Sequence, residues 1–263
     1  MRFLITLAVL PGIAIIIYIY NLDKREKEPI GLLMKLTGLG ALTVISAMLL
    51  EMLGEKIMPI FFTPNTMLYT AIDCFCVVAM SEEAGKYFVL KKFAWKDKNF
   101  DYMFEGIVYG VCVGLGFAIV ENVGYVLENG VSNAIMRAVT AVPGHATFGI
   151  YMGLYMAYAK HYQAKGEEAK AKYNMTKSFI VPVLIPGFYD FCLFVGSTMW
   201  VLIFFVFIAI LYFKTFKMIK KLSAEDKPLD GFAAARNEMP NFNEADNYNQ
   251  VNLPNDKDYF DEL

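Results

Sequence analysis

Apolar residues in this chain come in long blocks, with no alternation and few short amphipathic runs. Seven blocks can be drawn, at about 3–20, 31–53, 66–90, 102–127, 133–159, 178–196 and 197–216. Each is near the ~20 residues a helix needs to cross about 30 Å of hydrocarbon. The pattern predicts an all-α fold, a polytopic transmembrane helix bundle of about seven spans. The sixth block contains Pro182, Pro186 and Gly187, which predicts a kinked helix. Broken backbone at that depth would need a protein-lined or wet cavity, so a cavity is expected beside Asp190. The first block has one charge ahead of it, Arg2, and a basic cluster behind it, and reads as a span rather than a cleaved signal peptide.

Lysine and arginine alternate between connections. The stretches 21–30, 91–101 and 160–177 hold three, four and five, and the chain from Lys214 onward holds seven. The intervening connections hold only Arg2 and Lys56. Positive charge marks the cytoplasmic side, which predicts an outer N-terminus, a cytoplasmic C-terminus and an odd number of spans.

Composition sharpens this picture. Of 263 residues, 57% are hydrophobic and 19% charged, and the mean hydropathy is +0.41. Soluble domains are roughly 45–50% apolar and about 25% charged. A soluble α/β enzyme, an all-β sandwich and a disordered scaffold are excluded. The net charge of −2, with no basic patch, gives no sign of nucleic-acid binding. Cys74, Cys76, Cys112 and Cys192 all lie in apolar blocks and read as packing residues. Residues 222–263 differ in kind, with ten acidic and three basic residues, seven asparagines and no apolar period. They predict a disordered acidic cytoplasmic tail, leaving a membrane domain at 1–221 with its functional core at about 66–196. No internal repeat is visible, which weighs against a transporter built from inverted halves.

Ionisable residues inside the blocks carry the functional signal, since each costs about 2.5–3.5 kcal/mol to insert. They are Asp73, Glu82, Glu83, Lys86, Glu105, Glu121, Arg137, His145 and Asp190. Lys86 lies four residues after Glu82 and is expected to pair with it, leaving Glu83 about 100° away and free. A structural ion pair and a catalytic carboxylate pair both fit that pattern. Gly106, Gly110, Gly114 and Ala118 form a small-residue stripe for close helix packing. Glu121, Asn122 and Tyr125 follow, with Glu121 displaced about 9 Å from the helix midpoint and suited to organising the outer mouth of a cavity. Arg137, Ala141, His145, Gly149 and Gly153 repeat at steps of four, and His145 at mid-depth reads as a ligand or general base. His161 falls in a connection and reads as a surface residue. Glu82, Glu83, His145 and Asp190 share a depth and are expected to line one polar cavity, with His145 in direct or one-water reach of a glutamate. Arg137 and Glu121 should pair further out.

These residues also resemble a known family. Glu82-Glu83-x-x-Lys86, Phe104-Glu105-Gly106, Gly116-Phe117-Ala118-x-x-Glu121-Asn122-x-x-Tyr125, Arg137 with His145 and Gly149, and Gly187-x-Tyr189-Asp190-Phe191 occur in one order on four successive blocks. Together they resemble the PrsW family of bacterial intramembrane proteases, which is related to the CAAX prenyl protease superfamily. The resemblance implies a cell-membrane endopeptidase with Glu82 and Glu83 as catalytic carboxylates and His145 as a further catalytic or metal-coordinating group. Lys86, Glu121, Asn122, Arg137 and Asp190 would support them. It further implies site-1 cleavage of a membrane-anchored anti-sigma factor in an envelope-stress response. One position departs: a histidine commonly precedes the Gly-x-Tyr-Asp run, and here Pro186 stands there. A divalent metal such as zinc would then rest on Glu83, His145 and Asp190, and a metal-free mechanism with a glutamate activating water is the other option. The departure also motivates a second reading, an inactive regulator that binds partner transmembrane segments. A proton-linked transporter is a third.

Overall fold

The computed structural model describes residues 2–229. Those residues are helical almost throughout, and the one bridge between extended segments joins Tyr102 to Pro228. Five helical stretches are long and apolar enough to cross a membrane: Arg2–Leu22 (α1), Ile30–Phe61 (α2), Met103–Ala164, Glu168–Phe194 (α7) and Thr198–Ala224 (α8). The third is a hairpin of two legs, α5 (Met103–Val139) and α6 (Ala141–Ala164). Gly130 breaks α5 with φ 77° and ψ −163°, a conformation that glycine reaches without the penalty a Cβ would bring. Thr140 then separates the short return of α5 from α6. Between α2 and α5 a further rod fills 67–94. It comprises α3 (Met67–Ile72), a π-helical segment Asp73–Ala79, α4 (Met80–Val89) and a second π segment Leu90–Ala94.

Helix α5 is the axis of the bundle, buried continuously from Phe104 to Ala118. Its glycine stripe meets α6 in antiparallel register. A Cβ on Gly106 would come within 2.5 Å of the Gly153 carbonyl oxygen, and one on Gly114 within 2.6 Å of the His145 carbonyl oxygen. Gly110 and Gly149 oppose each other backbone to backbone in between. On another face Gly116 rests on the Thr37 backbone and Gly40 on that of Val113, which brings in α2. Small residues permit this approach, and in lipid, close packing is what holds helices together.

Two expectations require correction. Helix α7 runs unbroken through Pro182 and Pro186. The irregular backbone lies instead in the two π segments that bracket α4, where the i→i−4 ladder gains a residue. Such bulges are frequent at functional sites. The boundary at 221/222 also shifts. Leu222–Ala224 complete α8, Leu222 and Ser223 are buried, and 226–229 form a strap against the start of α5. Asp226 accepts a bond from the Phe104 amide at 2.9 Å, Met103 N–H donates to Lys227 O at 3.0 Å, and Leu229 N–H donates to Asp101 O at 2.7 Å. Ser223 also donates to the Leu22 carbonyl, tying in the end of α1. The remainder of the expected tail, 230–263, lies outside the described residues.

Candidate active site

Four helices contribute to a buried polar cluster. From α4, Lys86 Nζ lies 2.6 Å from Glu83 Oε1 and 3.1 Å from Glu82 Oε2. Glu83 is therefore not free as expected: positions i+3 and i+4 share a helix face, so both carboxylates reach the one ammonium. Glu83 is completely buried and Lys86 is 2% exposed. From α6, His145 Nδ1 lies 3.2 Å from Lys86 Nζ and 4.0 Å from Glu82 Oε2. An ammonium only donates, so Nδ1 accepts and the imidazole proton sits on Nε2. That Nε2–H donates to Glu121 Oε2 at 3.0 Å. Glu121 also receives Arg137 Nη2 at 2.6 Å, while Arg137 Nε donates to Asn122 Oδ1 at 2.8 Å. Asn122 in turn donates to the Ala8 carbonyl of α1 at 2.8 Å.

Glu121 thus stands closer to the site than its place along α5 suggests. On antiparallel helices each Cα–Cβ bond tilts toward its own N-terminus, so the side chains of Glu121 and His145 lean toward each other across an axial offset. The expected Arg137–Glu121 pair forms, but it forms on the imidazole. The break at Gly130 returns the chain so that Arg137 comes back beside Glu121 and Asn122. The hydrogen bond of His145 Nε2–H goes to Glu121.

Asp190 lines a small cavity of about 40 Å³ together with Glu82, Glu121, Arg137, His145 and Pro186. Glu83 is not in its wall; it lies behind Lys86. A wider cleft of about 520 Å³ between α2, the first π segment and residues 117–128 of α5 shares Glu82 and Glu121 with that cavity. Its wall also carries Glu51, Glu55, Asp73 and Glu128.

The donor set fits a divalent metal. One ligand atom each from Glu82, Glu83 and His145 lies within 4.8 Å of the others, the only such trio among the described residues. Glu83 Oε2 is buried without a hydrogen-bond partner. Two carboxylates and one imidazole supply three protein ligands, the number that catalytic zinc centres use. Asp190, expected as a ligand, is outside the trio.

A second polar cluster lies at the other end of α5, and of its members the sequence singled out only Glu105. Tyr109 donates to Glu28 Oε2 at 2.5 Å, and Glu105 accepts from the amides of Asp101 and Tyr102 at 2.6 and 2.8 Å. Burial raises Glu28 to about 7 against the opposing Tyr109 bond. Burial likewise raises Asp23 and Asp226 to about 6. His161, expected at the surface, is also buried. Apart from Glu105, nothing in the local sequence marks these positions, since the residues come from four separate segments.

Fold and site together define a polytopic membrane protein with an acid–base centre inside its helices. Residues 28–214 match the pattern of the PrsW family intramembrane metalloprotease. The chain is 32% identical over 225 residues to the protein named Protease PrsW of Geobacillus kaustophilus, covering 86% of this chain and 94% of that one. It is 35% identical over 193 residues to the Protease PrsW of Oceanobacillus iheyensis (72% and 82% covered) and 32% identical over 218 residues to that of Bacillus subtilis (83% and 94%). No solved structure matches it. The chain belongs to the PrsW family of intramembrane metalloproteases: it is a multi-pass membrane protein and a peptide-bond hydrolase acting on a membrane protein substrate.

Proposed function

We propose that this protein makes the first, site-1 cut in a single-pass, membrane-anchored anti-sigma factor and so starts a stress response. The observation that carries the reading is the continuity of the two cavities: Glu82 and Glu121 belong both to the wide cleft and to the small pocket at His145. A substrate strand lying in the cleft reaches Glu82 without the bundle coming apart. With the C-terminus cytoplasmic, as the distribution of lysine and arginine favours, the Glu51, Glu55 and Glu128 end of the cleft faces outward. Cleavage then falls on the extracytoplasmic side of the substrate's span.

In this reading a water molecule beside Glu82 attacks the scissile carbonyl carbon. Glu82 Oε1, which makes no bond to Lys86, takes the water's proton and passes it to the departing amine nitrogen. Glu121 fixes His145 with Nδ1 toward the site. Glu82, Glu83 and His145 would hold the metal, which supplies Lewis-acid polarisation and a more acidic bound water. Arg137, 2.6 Å from Glu121 Oε2, holds that carboxylate in place.

The test uses protein purified in detergent and an epitope-tagged anti-sigma factor from the same cell. Glu83→Gln and His145→Ala are each expected to abolish cleavage with the helical fold retained by circular dichroism. Normal cleavage by both variants would locate the chemistry elsewhere. Cleavage of unrelated single-pass proteins with no cut in the anti-sigma factor would overturn the substrate assignment. Reporter fusions after Lys177 and Lys221 should both read cytoplasmic.

A further inference from the structure

Lys86 Nζ contacts all three residues of the metal trio: Glu82 Oε2 at 3.1 Å, Glu83 Oε1 at 2.6 Å and His145 Nδ1 at 3.2 Å. An ammonium has three N–H donors, and here each finds one lone-pair acceptor. The side chain stands where a cation would stand. We infer that Lys86 is the resident cation of this site, and that a metal ion binds Glu82, Glu83 and His145 only by displacing its ammonium. The inference rests on the metalloprotease reading of the site and adds a regulatory element to it.

Three considerations support exclusive occupancy. The first is space: ligand atoms must close to about 2.0–2.2 Å around zinc, and the volume between them is filled by Nζ. The second is charge. Two carboxylates and an ammonium leave the cluster one unit short of neutral, whereas an ammonium and a divalent ion together would crowd three positive charges onto two negative ones in a buried place. The third is the imidazole lone pair: with its proton on Nε2, His145 has one lone pair, on Nδ1, which bonds Nζ, so a metal takes it only when the ammonium lets go. The Phe117 ring, whose centroid lies 3.9 Å from Nζ, is a further partner that does not compete with metal.

The device explains how two glutamates and a histidine can remain buried together without a metal. A buried charge left unpaired is strongly destabilising, and Lys86 supplies the pairing from four residues away. Metal affinity is thereby set below what the donors alone would give, and the empty site stays folded.

The experiment measures metal binding without substrate. Wild type, Lys86→Met and Lys86→Gln are purified in detergent with zinc present, dialysed against buffers of set free zinc, and assayed by elemental analysis. Thermal unfolding is followed with and without a chelator. Both variants should bind zinc on the order of tenfold more tightly or better than wild type, because the competing cation is gone. Their melting temperature should fall on chelation, while that of the wild type stays within about a degree. The second variant guards against an effect of methionine alone. Adding Glu83→Gln to Lys86→Met should remove the gained affinity. Equal zinc affinity in wild type and variants would overturn the exchange while leaving the metal centre standing. Absence of zinc from every protein would overturn the metal reading and this inference with it.

Discussion

Removing the charge on Glu121 tests whether His145 is held for chemistry. In Glu121→Gln a neutral amide oxygen takes the place of Oε2, which accepts from both His145 Nε2–H at 3.0 Å and Arg137 Nη2 at 2.6 Å, so both bonds weaken and the guanidinium loses its counter-charge. Arg137 and Glu121 are 15% and 18% exposed at the side chain, so the pair is neither fully buried nor at the surface. Breaking a fully buried pair costs about 3–5 kcal/mol and an exposed pair about 0–1. A loss of about 2 kcal/mol in stability is expected here. The catalytic effect is separate: loss of a partner that orients a ligand histidine typically costs about 10–100-fold in metal affinity or activity. The assay follows initial rates of cleavage of a tagged single-pass substrate in proteoliposomes, together with thermal unfolding and zinc content. The expected result is a fall in kcat of about 10–100-fold with KM changed little. A variant that melts lower yet cleaves at the wild-type rate would show that Glu121 serves only the packing of Arg137, and the orienting role would be refuted.

Other predictions follow from the packing and the strap. Gly149→Val places atoms inside the Gly110 backbone and should cost about 3 kcal/mol or more with loss of cleavage, whereas Gly124→Ala, with nothing within 4 Å of the added Cβ, should be neutral or stabilising by up to about 1 kcal/mol in thermal unfolding. Asp23 and Asp226 rise from 3.8 to about 6 on folding, so their protonated forms favour the folded state; that contribution is full below about pH 4 and is lost as pH rises through 6. Hydrogen exchange at the Phe104 and Leu229 amides should therefore be slower at pH 5 than at pH 7.5 after correction for intrinsic rates, and Asp226→Asn should flatten the difference. Truncation after Leu229 should leave melting and cleavage unchanged, while truncation after Ala224, which deletes the partners of Met103 and Phe104, should lower the melting temperature measurably.

The helical class was legible because a bilayer imposes a length on every apolar block, and the blocks near 3–20 and 31–53 fall inside α1 and α2. The Glu82/Glu83/Lys86 face and the depth of His145 were legible because helical spacing is regular. What escaped the sequence was whatever depends on side-chain reach or on distant segments. Glu121 was placed by its Cα, and its side chain covers the remaining distance. Pro186 was read as a break, but a helix buried among neighbours tolerates proline. The π segments carry no local signature, and Asp226 gains its meaning only beside Phe104.

That last contact also sets an order of events during synthesis. The Phe104 amide waits for a partner 122 residues downstream. At about 5–20 residues per second, the ribosome supplies it roughly 6–24 s later. Until then the helix against which α1, α2 and α6 pack has no strap at its first turn, and the carboxyl groups gathered there face whatever solvent or lipid is at hand. The fastening of the central helix is the last structural act of translation in the described chain. A nascent fragment that already contains Glu82, Glu83, Glu121 and His145 thus still lacks the strap, and the helix that carries Glu121 is fastened only when Asp226 follows its chemical groups out.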